Sequence, residues 1–468
     1  MAEKRPLIIL HGWSDNGSSF DRLARHLAEA LVGVEIQRVS IGDYLSMHDD
    51  LRFDDLQEGL ERAWTDRNLP RSAGSVDVIV HSTSGLIVRD WLQRRFPPHR
   101  SPIKHLVMLA PANFGSPLAH KGRSMFGRVL KGFVGREEGQ KLLSTGAEIL
   151  RGLELASPFS WELARRDRFG SGSGRFAPGR TLCTVLVGNT GYRGIRSVAN
   201  EDGGDGTVRI STANLNCSYL KIAFFAKDTE RANQESRTIV PEILEQQASS
   251  GRAAFRILDG IDHSSIKLDA APSRLSRVQK DTLEWIRRAL TVDDEGFHAF
   301  CDECDRANAT LTRSAEHPRA KPGYQNTVVR VRDQFDAPVT DYLIEFYHPE
   351  KRDGGVLASR IHEQAIRNVH AYRGDRSLRS LYLDTQRFMT LLRQARTPLG
   401  FSITAHPILG VASTVAGFST FADEDIEDLL LTPERVADFL QPHRTLLLDI
   451  IVQRRQSTSV FQLRDASD

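Results

Sequence analysis

Three side chains of the right types stand in an order that could support nucleophilic catalysis: Ser82, then Asp205 or Asp202, then His263. Ser82 lies in Val78-Ile79-Val80-His81-Ser82-Thr83-Ser84-Gly85-Leu86-Ile87-Val88-Arg89. An apolar strand ends there, a serine follows, and an apolar helix begins at once. Such a turn lifts a hydroxyl to the carboxyl edge of a sheet and points a helix N-terminus at it. Ser84 is the alternative nucleophile, but Leu86 would then crowd the turn, so Ser82 is preferred. The chemistry would be acyl transfer: a histidine takes the serine proton, a carboxylate orients the histidine, and backbone N–H groups hold the oxyanion.

The partners are sought on loops that leave later strands. Asp202-Gly203-Gly204-Asp205-Gly206-Thr207-Val208 follows an apolar run, and either aspartate could orient a histidine. Asp205 is preferred because apolar sequence resumes immediately after it. His263, in Asp259-Gly260-Ile261-Asp262-His263-Ser264-Ser265, follows the last apolar run of the first 290 residues. His11, His81 and His105 come too early in the chain, and His11 and His81 read as structural parts of their turns. The oxyanion donors nominated are the backbone N–H groups of Trp13, in His11-Gly12-Trp13, and of Thr83, next to the nucleophile.

These residues need a frame. Strand-like runs at Leu7–Leu10, Val34–Val39, Val76–Val80, His105–Leu109, Thr181–Val187, Tyr219–Phe225 and Ala254–Leu258 alternate with helical patterns. Phe53, Leu56, Leu60, Ala63 and Trp64 recur at helical spacing, and Ser276 to Leu290 forms another such stretch. This alternation predicts an α/β fold with a doubly wound, mostly parallel sheet. Leu118 to about Phe176 interrupts it with helical apolar spacing at Met125, Phe126, Val129, Leu130 and Phe133, then at Ile149, Leu150 and Leu153. That segment is expected to be a helical cap with a Gly/Ser-rich exit. The expected organisation is a catalytic domain over 1–293, a polar linker over 294–322 and a mainly β, sandwich-like domain over 323–468.

Composition excludes some classes. The chain has 468 residues, with 62 basic against 60 acidic and a net charge of +2. No basic excess points to nucleic acid. The apolar run Leu7–Leu10 is shorter than a secretory core segment, and no run reaches the ~20 residues of a membrane span, so a cytoplasmic location or signal-less export is expected. Cys301 and Cys304, with His298 nearby, lack a second ligand pair and read as ordinary thiols. No metal or organic cofactor is expected.

The residues so far resemble the bacterial lipase branch of the α/β-hydrolases. The resemblance rests on His11-Gly12-Trp13, His81 to Arg89, Ala110-Pro111-Ala112-Asn113-Phe114-Gly115-Ser116-Pro117-Leu118-Ala119, Asp205 to Val208, and Asp262 to Ser264, and covers about residues 5–290. Val80 and Ser84 stand where the usual G-x-S-x-G elbow has glycines. The resemblance implies Ser82 as nucleophile, His263 as base, Asp205 as its orienter, Trp13 and Thr83 as oxyanion donors, and a lid after Ala119. The expected function is hydrolysis of carboxylic esters, lipid acyl esters in particular, with a thioesterase, an amidase or a non-catalytic binding protein as alternatives. The expected partners are a lipid or small ester, peripheral contact with a membrane, and, for the C-terminal domain, another protein or a second copy.

Overall fold

The structure, a computed structural model, describes residues 5–11, 20–44, 50–119, 121, 146–170, 174–228, 237–347, 356–395, 399–409, 416–418 and 432–456. Trp13 and the apolar set from Met125 to Phe133 lie outside the described residues. The chain divides into two compact units. The first comprises residues 1–217, 248–323 and 443–445, and the second 218–247, 324–442 and 446–468.

The first unit is built on a six-stranded sheet. Its strands are β1 (Leu7–His11), β2 (Ile36–Ser40), β3 (Val76–His81), β4 (Ile103–Leu109), β5 (Leu182–Gly188) and β8 (Ala254–Leu258), and the intervening β6 (Ser218–Asp228) and β7 (Arg237–Ala248) lie elsewhere. The order is β2-β1-β3-β4-β5-β8, and every neighbouring pair is parallel. All six positions of β3 and all seven of β5 are buried. Burial of both sheet faces explains why these strands read as continuous apolar runs rather than as alternating ones.

Helices supply the cover. α1 (Asp21–Ala30) buries Leu23 and Leu27, and α2 (Phe53–Asp66) buries Phe53, Leu56, Leu60, Ala63 and Trp64. α3 (Ser84–Arg95) packs against α2, with the Trp64 and Trp91 ring centroids 4.6 Å apart. Two short helices, α4 (Ala147–Leu153) and α5 (Pro158–Ala164), form the described part of the segment after Ala119. α6 (Arg277–Thr291) begins at a capping box, in which Ser276 Oγ accepts from the Gln279 N–H and Gln279 Oε1 accepts from the Ser276 N–H.

Two expectations are corrected. Residues 294–322 are not a plain linker, because α7 (Phe297–Ala309) occupies much of the range. Phe297, Phe300, Cys301, Cys304 and Asn308 form its buried face. The Asn308 side chain accepts from the Ile257 N–H at 2.8 Å and donates to the Phe255 carbonyl at 2.7 Å. It thereby satisfies backbone groups of β8, the last strand of this sheet among the described residues. Tyr219–Phe225, read among the strands of the first 290 residues, does form a strand, but β6 joins the second unit, where it runs parallel to β15 (Thr445–Val452). Strand propensity in the sequence does not say which sheet a strand enters.

The second unit contains β9 (Tyr324–Asp333), β10 (Tyr342–Tyr347), β11 (Ile366–Ala371), β12 (Leu378–Asp384), β13 (Gly400–Ala405), β14 (Ala416–Phe418) and β16 (Arg454–Gln456) besides β6, β7 and β15. Its main sheet has the order β11-β12-β9-β15-β6-β7 and mixes antiparallel with parallel pairs, beside two two-stranded sheets. α8 (Val356–Gln364) and α9 (Thr385–Ala395) contribute Leu357, Ile361, Phe388, Leu391 and Leu392 to the same core as Val329, Leu381 and Ile450. The β-rich character expected of the C-terminal part is present, with helices packed into its core.

Candidate active site

The sharp turn expected at Ser82 is in place. Ser82 joins β3 to α3 with φ of +55°, in the left-handed region that costs a non-glycine residue roughly 1–3 kcal/mol. The strain persists because the ends of the turn are tied. The Ser82 N–H donates to the Leu109 carbonyl at 3.0 Å, and the Gly85 and Leu86 N–H groups donate to the Ser82 and Thr83 carbonyls at 3.3 and 3.0 Å. Val80 and Ser84 are accommodated in the elbow, and both are fully buried. The glycine that this elbow uses is Gly85, where a Cβ would stand 3.0 Å from Pro111 Cβ. The crowding is therefore relieved one residue beyond the usual position.

The structure brings Ser82, His263 and Asp205 together. His263 Nε2 lies 3.2 Å from Ser82 Oγ, and His263 Nδ1 lies 2.9 Å from Asp205 Oδ2. All three are buried, with Ser82 8% exposed and Asp205 sealed. With Nδ1–H donating to the carboxylate, Nε2 carries the lone pair that faces the serine hydroxyl. The other Asp205 oxygen accepts from the Thr207 and Val208 N–H groups at 2.9 and 2.8 Å, which holds the carboxylate in one rotamer. The His263 N–H donates to the Asp205 carbonyl at 3.0 Å, so backbone as well as side chain joins the two loops. The His263 ring and backbone contacts run to Asp205, while Asp202 is exposed.

Further groups position the three. Asp262 Oδ1 accepts from the Ser264 and Ser265 N–H groups, closing the turn that presents His263. His81 Nε2 lies 3.2 Å from the His263 carbonyl oxygen, to which it donates, and the two rings are 4.7 Å apart. The Tyr192 hydroxyl is 2.8 Å from Thr207 Oγ1, and burial together with the nearby Asp205 charge pushes the phenol well above its ordinary range. Gly206 has φ of +97°, and a Cβ there would come within 2.6 Å of the Tyr192 ring. The acid loop thus needs glycine both for its backbone conformation and for the close approach of the ring.

The 110–119 loop ties the acid to the elbow. Ser116 Oγ donates to the Thr207 carbonyl at 2.6 Å, Asn113 Nδ2 donates to the Ala213 carbonyl at 2.7 Å, and the Phe114 N–H donates to the Thr212 carbonyl at 2.9 Å. Below the elbow, Arg89 of α3 makes a bidentate pair with Asp167 at 2.8 and 2.9 Å and reaches the Asn113 carbonyl at 3.3 Å. Both charges are buried. Sequence reasoning did not single out Asp167 or Tyr192. The available signal for the pair was Arg89 itself, a charge inside the apolar run of α3.

Of the two nominated oxyanion donors, Trp13 lies outside the described residues. Thr83 sits at the start of α3 with φ of −57°, and its N–H has no acceptor among the described residues. Cys301 and Cys304 are free, and burial pushes each thiol up to about 12. No group of three or more metal-binding side chains occurs among the described residues. No helix among them is long and apolar enough to cross a membrane.

No family model and no curated protein matches the sequence. Solved structures do match. Phospholipase PlaB from Legionella pneumophila in complex with thio-NAD aligns with a TM-score of 0.77 and 22% identity, over 99% of this chain and 97% of that one. A second structure of Legionella pneumophila phospholipase PlaB aligns with a TM-score of 0.75 and 24% identity over the same shares. The likeness extends through both units, β-rich part included. With its all-parallel sheet, its flanking helices and a strained serine at the carboxyl end of the third strand, the chain has an α/β-hydrolase fold.

Proposed function

We propose that this protein hydrolyses the acyl esters of lipids through Ser82, His263 and Asp205. The observation that carries the reading is the unbroken line from Asp205 Oδ2 through both ring nitrogens of His263 to Ser82 Oγ, at 2.9 and 3.2 Å. His263 takes the Ser82 proton as Oγ attacks the ester carbonyl, and the tetrahedral intermediate places its oxyanion against the Thr83 N–H, with Trp13 as the second donor. Collapse expels the alcohol, which receives the proton from His263. Water activated by His263 then cleaves the acyl-Ser82 ester. Asp205 orients the ring and stabilises the imidazolium that forms.

A lipid ester is favoured over other acyl compounds by the likeness, along the whole chain, to a protein named a phospholipase. The test is hydrolysis of p-nitrophenyl esters of graded chain length by wild type and Ser82→Ala. The wild type is expected to cleave them, and Ser82→Ala to lose at least about 10⁴-fold in kcat. Equal activity of the two would rule out Ser82, and activity on thioesters or amides alone would replace the substrate class.

A further inference from the structure

The loop that carries the acid also carries an exposed apolar turn. After β5 the chain runs through Asn189 to Tyr192, makes a short 3₁₀ helix over Gly194–Ala199 and returns to Asp205. Residues 193 to 198 are all exposed, Ile195 by 82% and Val198 by 69%. These are two of the four exposed large apolar side chains of the first unit among the described residues; the others, Val32 and Val278, lie far away in sequence. In a helix of three residues per turn, positions three apart eclipse, so Ile195 and Val198 form one apolar edge. Arg193, at the extended N-cap, and Arg196, whose guanidinium carbon lies 5.8 Å from the Tyr192 ring centroid, are the exposed cations of the same turn.

The turn is held firmly at its base. The Tyr192 N–H donates to Asn200 Oδ1 and Asn200 Nδ2 donates to the Tyr192 carbonyl, both at 2.8 Å. Tyr192 and Ala199 are buried on either side of the exposed residues. Tyr192 also contacts Thr207, whose N–H donates to Asp205. The apolar edge thus rises from the carboxyl end of the same sheet whose third strand presents Ser82. An anionic phospholipid layer matches both the apolar edge and the cations, taking the apolar pair among its acyl chains and the guanidinium groups at its phosphates.

We propose that the 193–198 turn is the contact by which this protein seats on an anionic phospholipid surface, with Ile195 and Val198 entering the layer and Arg193 and Arg196 meeting the headgroup phosphates. The proposal rests on the reading of the chain as a lipid-ester hydrolase, but its test does not depend on catalysis. Co-sedimentation of the full chain is measured with vesicles of phosphatidylcholine alone and with an equal share of phosphatidylglycerol. Wild type is expected to favour the anionic vesicles. Ile195→Ser with Val198→Ser is expected to bind them at least about tenfold more weakly while still cleaving a soluble short-chain ester. Arg193→Gln is expected to lose about fivefold on anionic vesicles and little on neutral ones. Equal vesicle binding by wild type and the double variant overturns the proposal, as does a wild type that binds no vesicles. A changed oligomeric state in the double variant, with vesicle binding intact, assigns the turn to a protein contact instead. Vesicle binding that follows the pattern above in a wild type without ester hydrolysis sinks the catalytic reading and leaves the surface contact standing.

Discussion

At the residue scale, Ser82, His263 and Asp205 are held by backbone as much as by one another. His263 is fixed from three sides: by Asp205 through Nδ1, by its own N–H on the Asp205 carbonyl, and by His81 on its carbonyl oxygen. His81, read from sequence as a structural part of its turn, therefore helps to position His263. Replacing His81 removes a hydrogen bond worth about 1 kcal/mol and lets the imidazole of His263 drift from Ser82. His81→Leu is expected to lower kcat about tenfold with KM nearly unchanged. His81→Gln, whose amide N–H can reach the same carbonyl, should recover most of the loss. Steady-state kinetics on a soluble ester distinguishes the two, and equal losses in both variants would mean that only ring packing matters.

At the scale of elements, the elbow depends on what lies beneath α3. Arg89 and Asp167 are charged, paired and wholly buried, and they join the helix behind the serine to the segment following α5. A buried pair of this kind contributes little net stability when whole, but removing one member strands the other. Arg89→Leu is expected to destabilise the protein by about 3–5 kcal/mol, and Asp167→Asn by less, since the amide still accepts a hydrogen bond. Urea denaturation at pH 7 measures both, and a loss under about 1 kcal/mol for Arg89→Leu would mean that the pair is bypassed. A helix start is legible in the chain at Ser276 and Gln279 because a capping box is local. The partner of Arg89 was not, because Asp167 lies 78 positions away within an insertion of unremarkable composition.

At the scale of the whole molecule, the chain crosses between its units several times, and residues 443–445 are a short return to the first. His443 is buried there, its Nε2 is 2.9 Å from Thr312 Oγ1, and burial lowers its pKa to about 4. The folded value lies below the unfolded one, so the unfolded chain binds the extra proton first. Stability is then complete above about pH 6.5 and falls as the pH drops toward 4. Between pH 7 and pH 5 the loss from this group should be about 2 kcal/mol, and His443→Gln should flatten that part of the profile, as denaturant titrations at both pH values would reveal. The parallel sheet, the Ser82 elbow and the order of serine, acid and histidine were legible in the chain, because strand runs buried on both faces and tight turns leave local marks in residue type. The preference for Asp205 over Asp202 rested in the chain only on the apolar sequence that resumes after it, whereas the carboxylate itself meets His263 Nδ1 only through the fold. The sheet that β6 joins was not legible, because its partner β15 lies more than 200 residues further along, and a strand's own sequence records that it pairs but not with what. Local chemistry thus determined which residues could react, and only long-range packing decided which of them meet.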